Sequence, residues 1–183
     1  MNISWVLADQ LVLDPLVNVT DMKKLGSLWG SWRTWRACGT ANVICHDTVK
    51  ANDLIKRNFH KNCNLYISND SHITLGRPEG VNLYEGKFID EIDQQDEIVA
   101  LHLSASTSDV ILLLGFDWTE KTKNPDKLIE HRAHVYRTLV LNVIKNNPNT
   151  QWVLVDHAGP VTKWLSKLDN LTIDTMESAL SLA

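Results

Sequence analysis

Short apolar runs alternate along the chain with segments in which apolar residues recur every three or four positions. A compact apolar run is typical of a β-strand, whereas the longer spacing is typical of an amphipathic helix. Strands are predicted at residues 3–8, 42–47, 63–68, 109–118, 150–159 and 171–175, and a further short strand is left open at 81–84. Helices are predicted at residues 21–36, 48–62, 127–146 and 160–168, from Asp90 or Asp93 to Ser104, and at the end of the chain.

This alternation of strands with helices predicts an α/β fold. Helices between successive strands favour a mainly parallel sheet covered on both faces, and the continuous apolar runs at 110–114 and 152–155 fit strands buried on both sides. Right-handed crossovers then lead to a Rossmann-like three-layer sandwich with a mainly parallel five- to six-stranded sheet. The 183 residues are enough for one sizeable core and hard to divide in two, so we expect a single α/β domain over residues 1–183.

Residues that can do chemistry follow the predicted strands at their carboxyl ends. In an open parallel sheet, ligands bind in the crevice beyond these ends. An aspartate recurs there, twice next to a histidine. The ends are Asp9-Gln10, His46-Asp47, Ser68-Asn69-Asp70, Gly115-Phe116-Asp117-Trp118 and Asp156-His157-Ala158-Gly159. The pattern predicts a polar ligand pocket, although an aspartate at a strand end also caps helices and forms turns.

Three residues of this set are the candidate catalytic residues: Asp117, Asp156 and His157. An aspartate or a histidine would act as general base, and imidazole titrates near neutral pH. In one interpretation Asp117 and Asp156 also hold a divalent cation such as Mg²⁺ through carboxylate oxygens. In the other, the carboxylates accept hydrogen bonds from ribose or sugar hydroxyls and no metal takes part.

Further residues are candidates for ligand binding. Gly115 would allow the backbone to approach a ligand closely, Trp118 would stack on a base or sugar, and Arg77 would hold a phosphate. The simpler alternatives are that Trp118 packs under the following loop and that Arg77 is an ordinary loop residue. The complete set is Asp9, His46, Asp47, Gly115, Trp118, Gly159 and Arg77.

The segment LWGSWRTWR combines Trp29, Trp32 and Trp35 with Arg33 and Arg36. Tryptophan rings next to cations can form a platform for a nucleobase or a phosphate. Alternatively, the segment is an amphipathic helix whose indoles fill the core or an interface between subunits. Tryptophan is enriched at such interfaces, so the second alternative predicts a homo-oligomer.

Net charge, the length of the apolar runs and the cysteine content disfavour several classes of protein. The net charge of −4 provides no overall positive field and disfavours binding to duplex nucleic acid. No apolar run reaches the roughly 18–20 residues of a membrane-spanning helix, and the N-terminal sequence MNISWVLADQL does not predict a signal peptide. Three cysteines without CxxC spacing fit a reducing cytoplasm better than a disulfide scaffold.

Several nucleotide-site and hydrolase motifs are absent. The chain has no GxGxxG after its first strand, no GxxxxGK[ST] loop and no GxSxG turn. A standard dinucleotide site, an ordinary phosphate-loop NTPase and an α/β-hydrolase are therefore disfavoured. The remaining expectation is a domain that binds a nucleotide, a nucleotide-sugar or a phosphorylated metabolite, with hydrolase or transferase activity.

The chain contains the runs LLLGFD and NLYEG within a short alternating pattern of strands and helices. In these features it resembles uncharacterised small α/β proteins of tailed bacteriophages, those of marine bacteria among them. The resemblance covers about the middle half of the chain. It implies a viral origin and a location in the host-cell cytoplasm, and it brings no catalytic residues. The alternative function, from a different class, is a non-catalytic virion, assembly or host-interaction protein that uses the tryptophan segment as its interface.

Overall fold

The computed structural model describes residues 1–8, 19–85, 95–116, 127–156 and 167–182. Its strands are β1 (Ile3–Leu7), β2 (Ser27–Ser31), β3 (Asn42–Ile44), β4 (Asn64–Ser68), β5 (Asn82–Tyr84), β6 (Val110–Leu114), β7 (Gln151–Val155) and β8 (Leu171–Asp174). Its helices are α1 (Val19–Leu25), α2 (Trp32–Cys38), α3 (Thr48–Lys56), α4 (Asn69–Thr74), α5 (Gln95–Ala105), α6 (Lys127–Asn146) and α7 (Met176–Leu180), with a 3-10 turn at Phe59–Lys61.

The eight strands form one sheet in the order β5-β4-β3-β2-β1-β6-β7-β8, and every neighbouring pair is parallel. The predicted α/β class and the Rossmann-like architecture are confirmed. The predicted number of five to six strands is wrong, because the sheet includes β2 and the short strand β5 in addition to the six predicted strands.

Strand β2 lies inside the segment for which the sequence predicts one helix, residues 21–36. The chain forms α1, then β2, then α2 instead. Leu28 and Trp29 are buried on opposite faces of the sheet, which is the two-residue period of a strand. A Cβ on Gly26 would lie 2.2 Å from the Ile3 carbonyl oxygen, so only glycine lets the chain enter β2 this close to β1.

Both faces of the sheet are covered, as expected for parallel strands. On one face, α5 and α6 pack against Val6, Ile111 and Trp152. On the other face, α1 and α7 pack against alternate strand residues such as Trp5, and α3 covers the sheet nearer to β4. Successive residues of β1 therefore bury their side chains on opposite faces, and the core has two layers.

In the part of the chain that the structure describes, no helix combines the length and the apolar character that a membrane crossing requires.

Candidate functional site

The strand order reverses between β1 and β6. From β1 the chain builds the sheet outward to β5, then returns to place β6 on the other side of β1. The two strands run in register, with Leu7 opposite Leu114, and the Ala8 amide donates a hydrogen bond of 3.0 Å to the Leu114 carbonyl. The two strands therefore end at the same level, and the helices that come next in the chain, α1 and α6, cover opposite faces of the sheet. In doubly wound folds this divergence creates the ligand crevice.

The chain leaves β6 through Gly115, whose φ of +82° lies in the left-handed region. A side chain at this position would be strained, so glycine is needed here for the turn itself. The next residue, Phe116, is buried in the core on the α5 and α6 face. The prediction that Gly115 lies at the sheet edge is therefore in agreement with the structure, while its contact with a ligand stays a prediction.

Five of the predicted site residues lie outside the described part of the chain, and their roles stay predictions. They are Asp9, Asp117, Trp118, His157 and Gly159.

A histidine and a buried carboxylate meet at the same edge of the sheet, beyond the carboxyl end of β3. The Asp96 carboxylate accepts a hydrogen bond of 2.7 Å from Nδ1 of His46 and one of 2.8 Å from the backbone amide of His46, both through the same oxygen. The His46 side chain is 34% exposed and the Asp96 side chain 9% exposed. The carboxylate thus holds the ring from the protein side. With the proton on Nδ1, Nε2 is the nitrogen that can accept a proton.

Asp96 reaches this position from the first turn of α5, the helix that returns from β5 to β6 across β1, β2 and β3. A buried carboxylate is costly unless it is paired, and two hydrogen bonds from His46 reduce that cost here. Its charge affects two further buried groups. Burial first, and the nearby Asp96 charge second, raise the pKa of the Tyr84 phenol and the pKa of the Cys45 thiol far above their ordinary values. Tyr84 and Cys45 therefore stay protonated next to the pair.

The neighbouring residue Glu97 is also buried, with 2% of its surface exposed. The Tyr136 hydroxyl of α6 donates a hydrogen bond to the Glu97 carboxylate. Two successive acids at the start of α5 are thus both buried, Asp96 towards β3 and Glu97 towards α6. Acids in a first helical turn usually face solvent and interact with the helix dipole, whereas both of these carboxylates are buried and hydrogen-bonded.

Two of the predicted aspartates accept hydrogen bonds from backbone amides at the starts of helices. Asp47 is the N-cap of α3, and its carboxylate accepts a hydrogen bond of 3.0 Å from the Lys50 amide. The exposed Asp156 carboxylate accepts one of 2.8 Å from the Met176 amide, at the start of α7. Asp47 is thus a helix cap, whereas Asp156 supplements Thr175, the N-cap of α7. Each of these hydrogen bonds uses one carboxylate oxygen, and the ligand contacts of both residues stay predictions.

Arg77 lies elsewhere. It is an exposed residue with φ of +60° in the loop that leads from α4 into the amino end of β5. His46 follows the carboxyl end of β3, so the described residues do not bring Arg77 and His46 together.

The three tryptophans of the LWGSWRTWR segment have different surroundings, because the segment is a strand followed by a helix. Trp29 is buried in the core and contacts the Tyr66 ring. Trp35 packs edge-on against Phe59 at 4.3 Å between ring centroids. Trp32 is half-buried at the start of α2. The predicted single helical stripe of three indoles is therefore wrong, because Trp29 lies in β2 while Trp32 and Trp35 lie in α2. The interface between subunits stays a prediction.

Sequence reasoning missed Asp96, Glu97, Tyr84 and Tyr136 as members of the site. Asp96 is fifty positions away from His46 in the chain, so no local spacing connects them. Its only sequence signal, an acid in the first turn of a helix, is shared by most exposed helices.

A second concave surface lies at the opposite edge of the sheet. This groove of about 740 Å³ is lined by residues at the amino ends of the strands, among them Ser4, Ser27, Thr40 and Ser108. Among the described residues that line it, Lys23 has the one charged side chain, and none is acidic. It is a rival location for a ligand, but ligands of open α/β sheets bind at the other edge.

The described residues contain no group of three or more histidine, cysteine, aspartate or glutamate side chains that could hold a metal ion. The predicted Mg²⁺ ligands include Asp117, which lies outside these residues, so the metal stays a prediction.

The three cysteines are expected to react slowly with a thiol reagent in the native protein. All three are free thiols, Cys38 and Cys45 are buried, and burial raises the pKa of Cys63 to about 11. At pH 8 only about one Cys63 in a thousand is then a thiolate, the reactive form. Labelling with a chromogenic disulfide at pH 8 should take hours in buffer and reach three equivalents at once in guanidinium chloride. Fast native labelling that persists in Cys63→Ser would contradict the burial of the other two.

Comparisons of the chain with protein-family models, curated proteins and solved structures found no match.

Proposed function

We propose that this protein binds a small phosphorylated ligand, such as a nucleotide, a nucleotide-sugar or a phosphorylated metabolite, at the carboxyl edge of its sheet. We further propose that it acts on this ligand as a hydrolase or a transferase. The observation that carries the proposal is the reversal of strand order between β1 and β6 in a sheet whose strands are all parallel.

The His46–Asp96 pair supports the chemical part of this proposal. The buried carboxylate of Asp96 holds Nδ1 of His46 and so orients the ring with Nε2 as the nitrogen that transfers a proton. The same carboxylate would stabilise the imidazolium that forms. His46 would accept the proton of an attacking water or hydroxyl group and return a proton to the leaving oxygen. The half-exposed ring allows contact with a ligand in the crevice.

The predicted residues outside the described ranges complete the proposed site. In the sequence, Asp9 comes two positions after Leu7, the last residue of β1, and Asp117 comes three positions after Leu114, the last residue of β6; these strands end together. Either aspartate would then face the ligand, as a hydrogen-bond acceptor for hydroxyls or as a Mg²⁺ ligand. The homo-oligomer predicted from tryptophan content stays a prediction.

The proposal is tested by thermal-shift screening with nucleotides, nucleotide-sugars and sugar phosphates, with and without Mg²⁺. A ligand at about a hundred times its dissociation constant stabilises the folded state by roughly 2.7 kcal/mol, which such a screen detects. Asp117→Asn should leave the melting temperature of the free protein unchanged and reduce the ligand-induced shift. The matched control is Asp169→Asn, which changes an exposed aspartate next to the amino end of β8.

The proposal is overturned if no compound of these classes shifts the melting temperature of the wild-type protein. It is also overturned if Asp117→Asn and Asp169→Asn keep the same ligand-induced shift as the wild-type protein.

A further inference from the structure

We propose that the groove at the amino ends of the strands, here called the amino-edge groove, is a second ligand site. It takes a small organic monoanion that carries several hydroxyl groups, of the sugar-acid class. The groove lies at the opposite edge of the sheet from the site of the proposed function, so the inference goes beyond that function and does not depend on it. Its volume of about 740 Å³ is within the range of about 300 to 1,000 Å³ that small-ligand pockets have.

Five neighbouring strands bring polar residues to the amino-edge groove. Ser4 of β1 lies opposite Ser27, the first residue of β2. Thr40, Asn62 and Ser108 come two positions before the first residues of β3, β4 and β6, respectively. Because parallel strands all begin at one edge of the sheet, residues that are far apart in the chain line one surface here.

Lys23 provides the positive charge of the amino-edge groove. It lies in the last turn of α1, and the single residue Gly26 separates that helix from β2. Its ammonium nitrogen is 3.2 Å from the position that a Cβ on Gly39 would occupy, so it extends towards the turn between α2 and β3. Asp21 of α1 pairs with Lys24 at 2.8 Å, whereas Lys23 has no ion pair within the residues that the structure describes. An anion in the groove would supply that partner.

A chain of hydrogen bonds leads from the core to Ser108. The indole N–H of Trp29 donates a hydrogen bond of 3.2 Å to Oγ of Ser4, which lies 2.7 Å from Oγ of Ser108. An indole N–H can only donate, so Ser4 accepts from Trp29 and has its own proton to donate to Ser108. The proton of the half-buried Ser108 hydroxyl is then available to an oxygen atom of a ligand.

The Thr40 hydroxyl is a second donor at the amino-edge groove. Thr40 lines the groove and is 1% exposed, and its Oγ1 has no hydrogen bond within the described part of the chain. A buried hydroxyl without a hydrogen bond destabilises the folded state. Native proteins satisfy the great majority of such groups, so an exception beside a groove indicates a place for a ligand oxygen.

These groups define the class of ligand. One ammonium group matches a single negative charge, and the two hydroxyl donors add hydrogen bonds to the oxygens of a carboxylate. The exposed side chains of Ser27 and Asn62 can each donate and accept hydrogen bonds, as sugar hydroxyls do. Among the described lining residues there is no acid to repel the anion.

Isothermal titration calorimetry with D-gluconate and D-glucuronate tests this inference, with D-glucose as the uncharged probe. We expect at least one of the two sugar acids to bind to the wild-type protein, and D-glucose to bind at least tenfold more weakly. Lys23→Gln should weaken binding of the sugar acid about tenfold, the effect of one charge-assisted hydrogen bond. The matched control is Lys24→Gln, which removes the neighbouring lysine that pairs with Asp21 and does not line the groove. It should change the affinity less than twofold.

Thr40→Val distinguishes a ligand contact from a structural role. Valine has a similar shape but no hydroxyl, so the melting temperature of the free protein should stay the same or rise, because a buried unpaired group is removed. The affinity for the sugar acid should fall about fivefold, the effect of one neutral hydrogen bond. A structural role for the hydroxyl would instead lower the melting temperature and leave the affinity unchanged.

The inference is wrong if neither sugar acid binds to the wild-type protein, or if either Lys23→Gln or Thr40→Val binds it as strongly as the Lys24→Gln control. Amide chemical shifts locate the bound sugar acid, and the largest changes should occur at Ser27, Thr40 and Ser108. Changes confined to the carboxyl edge of the sheet would also overturn the inference. The screen with phosphorylated ligands uses different compounds and different variants, so the proposed function and the amino-edge site fail separately.

Discussion

Replacement of Trp152 by alanine is expected to lower the free energy of unfolding by about 3 to 5 kcal/mol. Trp152 lies in β7, between Ile111 of β6 and Leu171 of β8, and its side chain is fully buried on the face that α5 and α6 cover. Removing the indole leaves a cavity between two strands and the helices above them, and a close-packed core fills such a cavity only partly. Urea unfolding followed by far-ultraviolet circular dichroism measures this loss without relying on tryptophan emission.

Trp152→Phe separates the packing of the ring from its polar group. The indole N–H of Trp152 is buried and has no hydrogen-bond partner within the described residues. Phenylalanine therefore loses no hydrogen bond and should cost only about 1 to 2 kcal/mol, for the smaller ring. The surface control is Val49→Ala, at a position that is 80% exposed, with an expected change within about 0.5 kcal/mol. A Trp152→Ala protein as stable as the Val49→Ala protein would show that β7 is not a central strand.

His46→Gln is expected to lower kcat about a hundred- to ten-thousand-fold on the substrate that ligand screening identifies. Glutamine keeps a polar side chain of similar length, but it cannot carry a proton between the attacking and leaving groups. KM should change little, because in this account His46 acts mainly in the transition state. The measurement is a steady-state comparison of kcat and KM with wild-type protein.

Asp96 acts through His46 as a positioning residue, so its variants should form a graded series. Asp96→Asn keeps an acceptor oxygen for the ring but loses the charge that stabilises the imidazolium, so kcat should fall less than in His46→Gln. Asp96→Ala removes the acceptor of two hydrogen bonds and should match His46→Gln in kcat while also lowering stability by about 2 to 4 kcal/mol. A purely structural role for Asp96 would instead give normal kcat in every variant that folds.

The sequence predicted correctly those elements whose own hydrophobic pattern is enough to distinguish a helix from a strand. Helix α6 spans five turns with a continuous apolar stripe, and its predicted bounds are those observed. Strands β6 and β7 are continuous apolar runs that fit a strand buried on both faces. Because these units alternate, the parallel sheet and its helical layers could be predicted without knowledge of any long-range contact.

Strand β2 could not be predicted in the same way. The tryptophans at 29, 32 and 35 repeat at the spacing of a helix, although Trp29 faces the sheet core and Trp32 begins the next helix. The true signal was the pair of glycines, Gly26 and Gly30. The reason for Gly26 is the Ile3 carbonyl next to it, a contact that only the folded sheet creates.

The sequence predicts at which edge of the sheet the candidate site lies, but not all of the residues that form it. Strand ends indicate the edge where ligands bind, and His46 was found from that rule alone. Its partner Asp96 comes from the helix that crosses back over the sheet. This contact depends on strand order, and strand order cannot be read from local periodicity.

A ligand site at the carboxyl edge is tested most directly by an amide chemical-shift titration of the protein with the ligand that gives the largest thermal shift. If the ligand binds there, the largest changes occur at the amides of Ala8, His46 and Gly115. Changes confined to the amino-edge groove, at Ser27, Thr40 and Ser108, would contradict it.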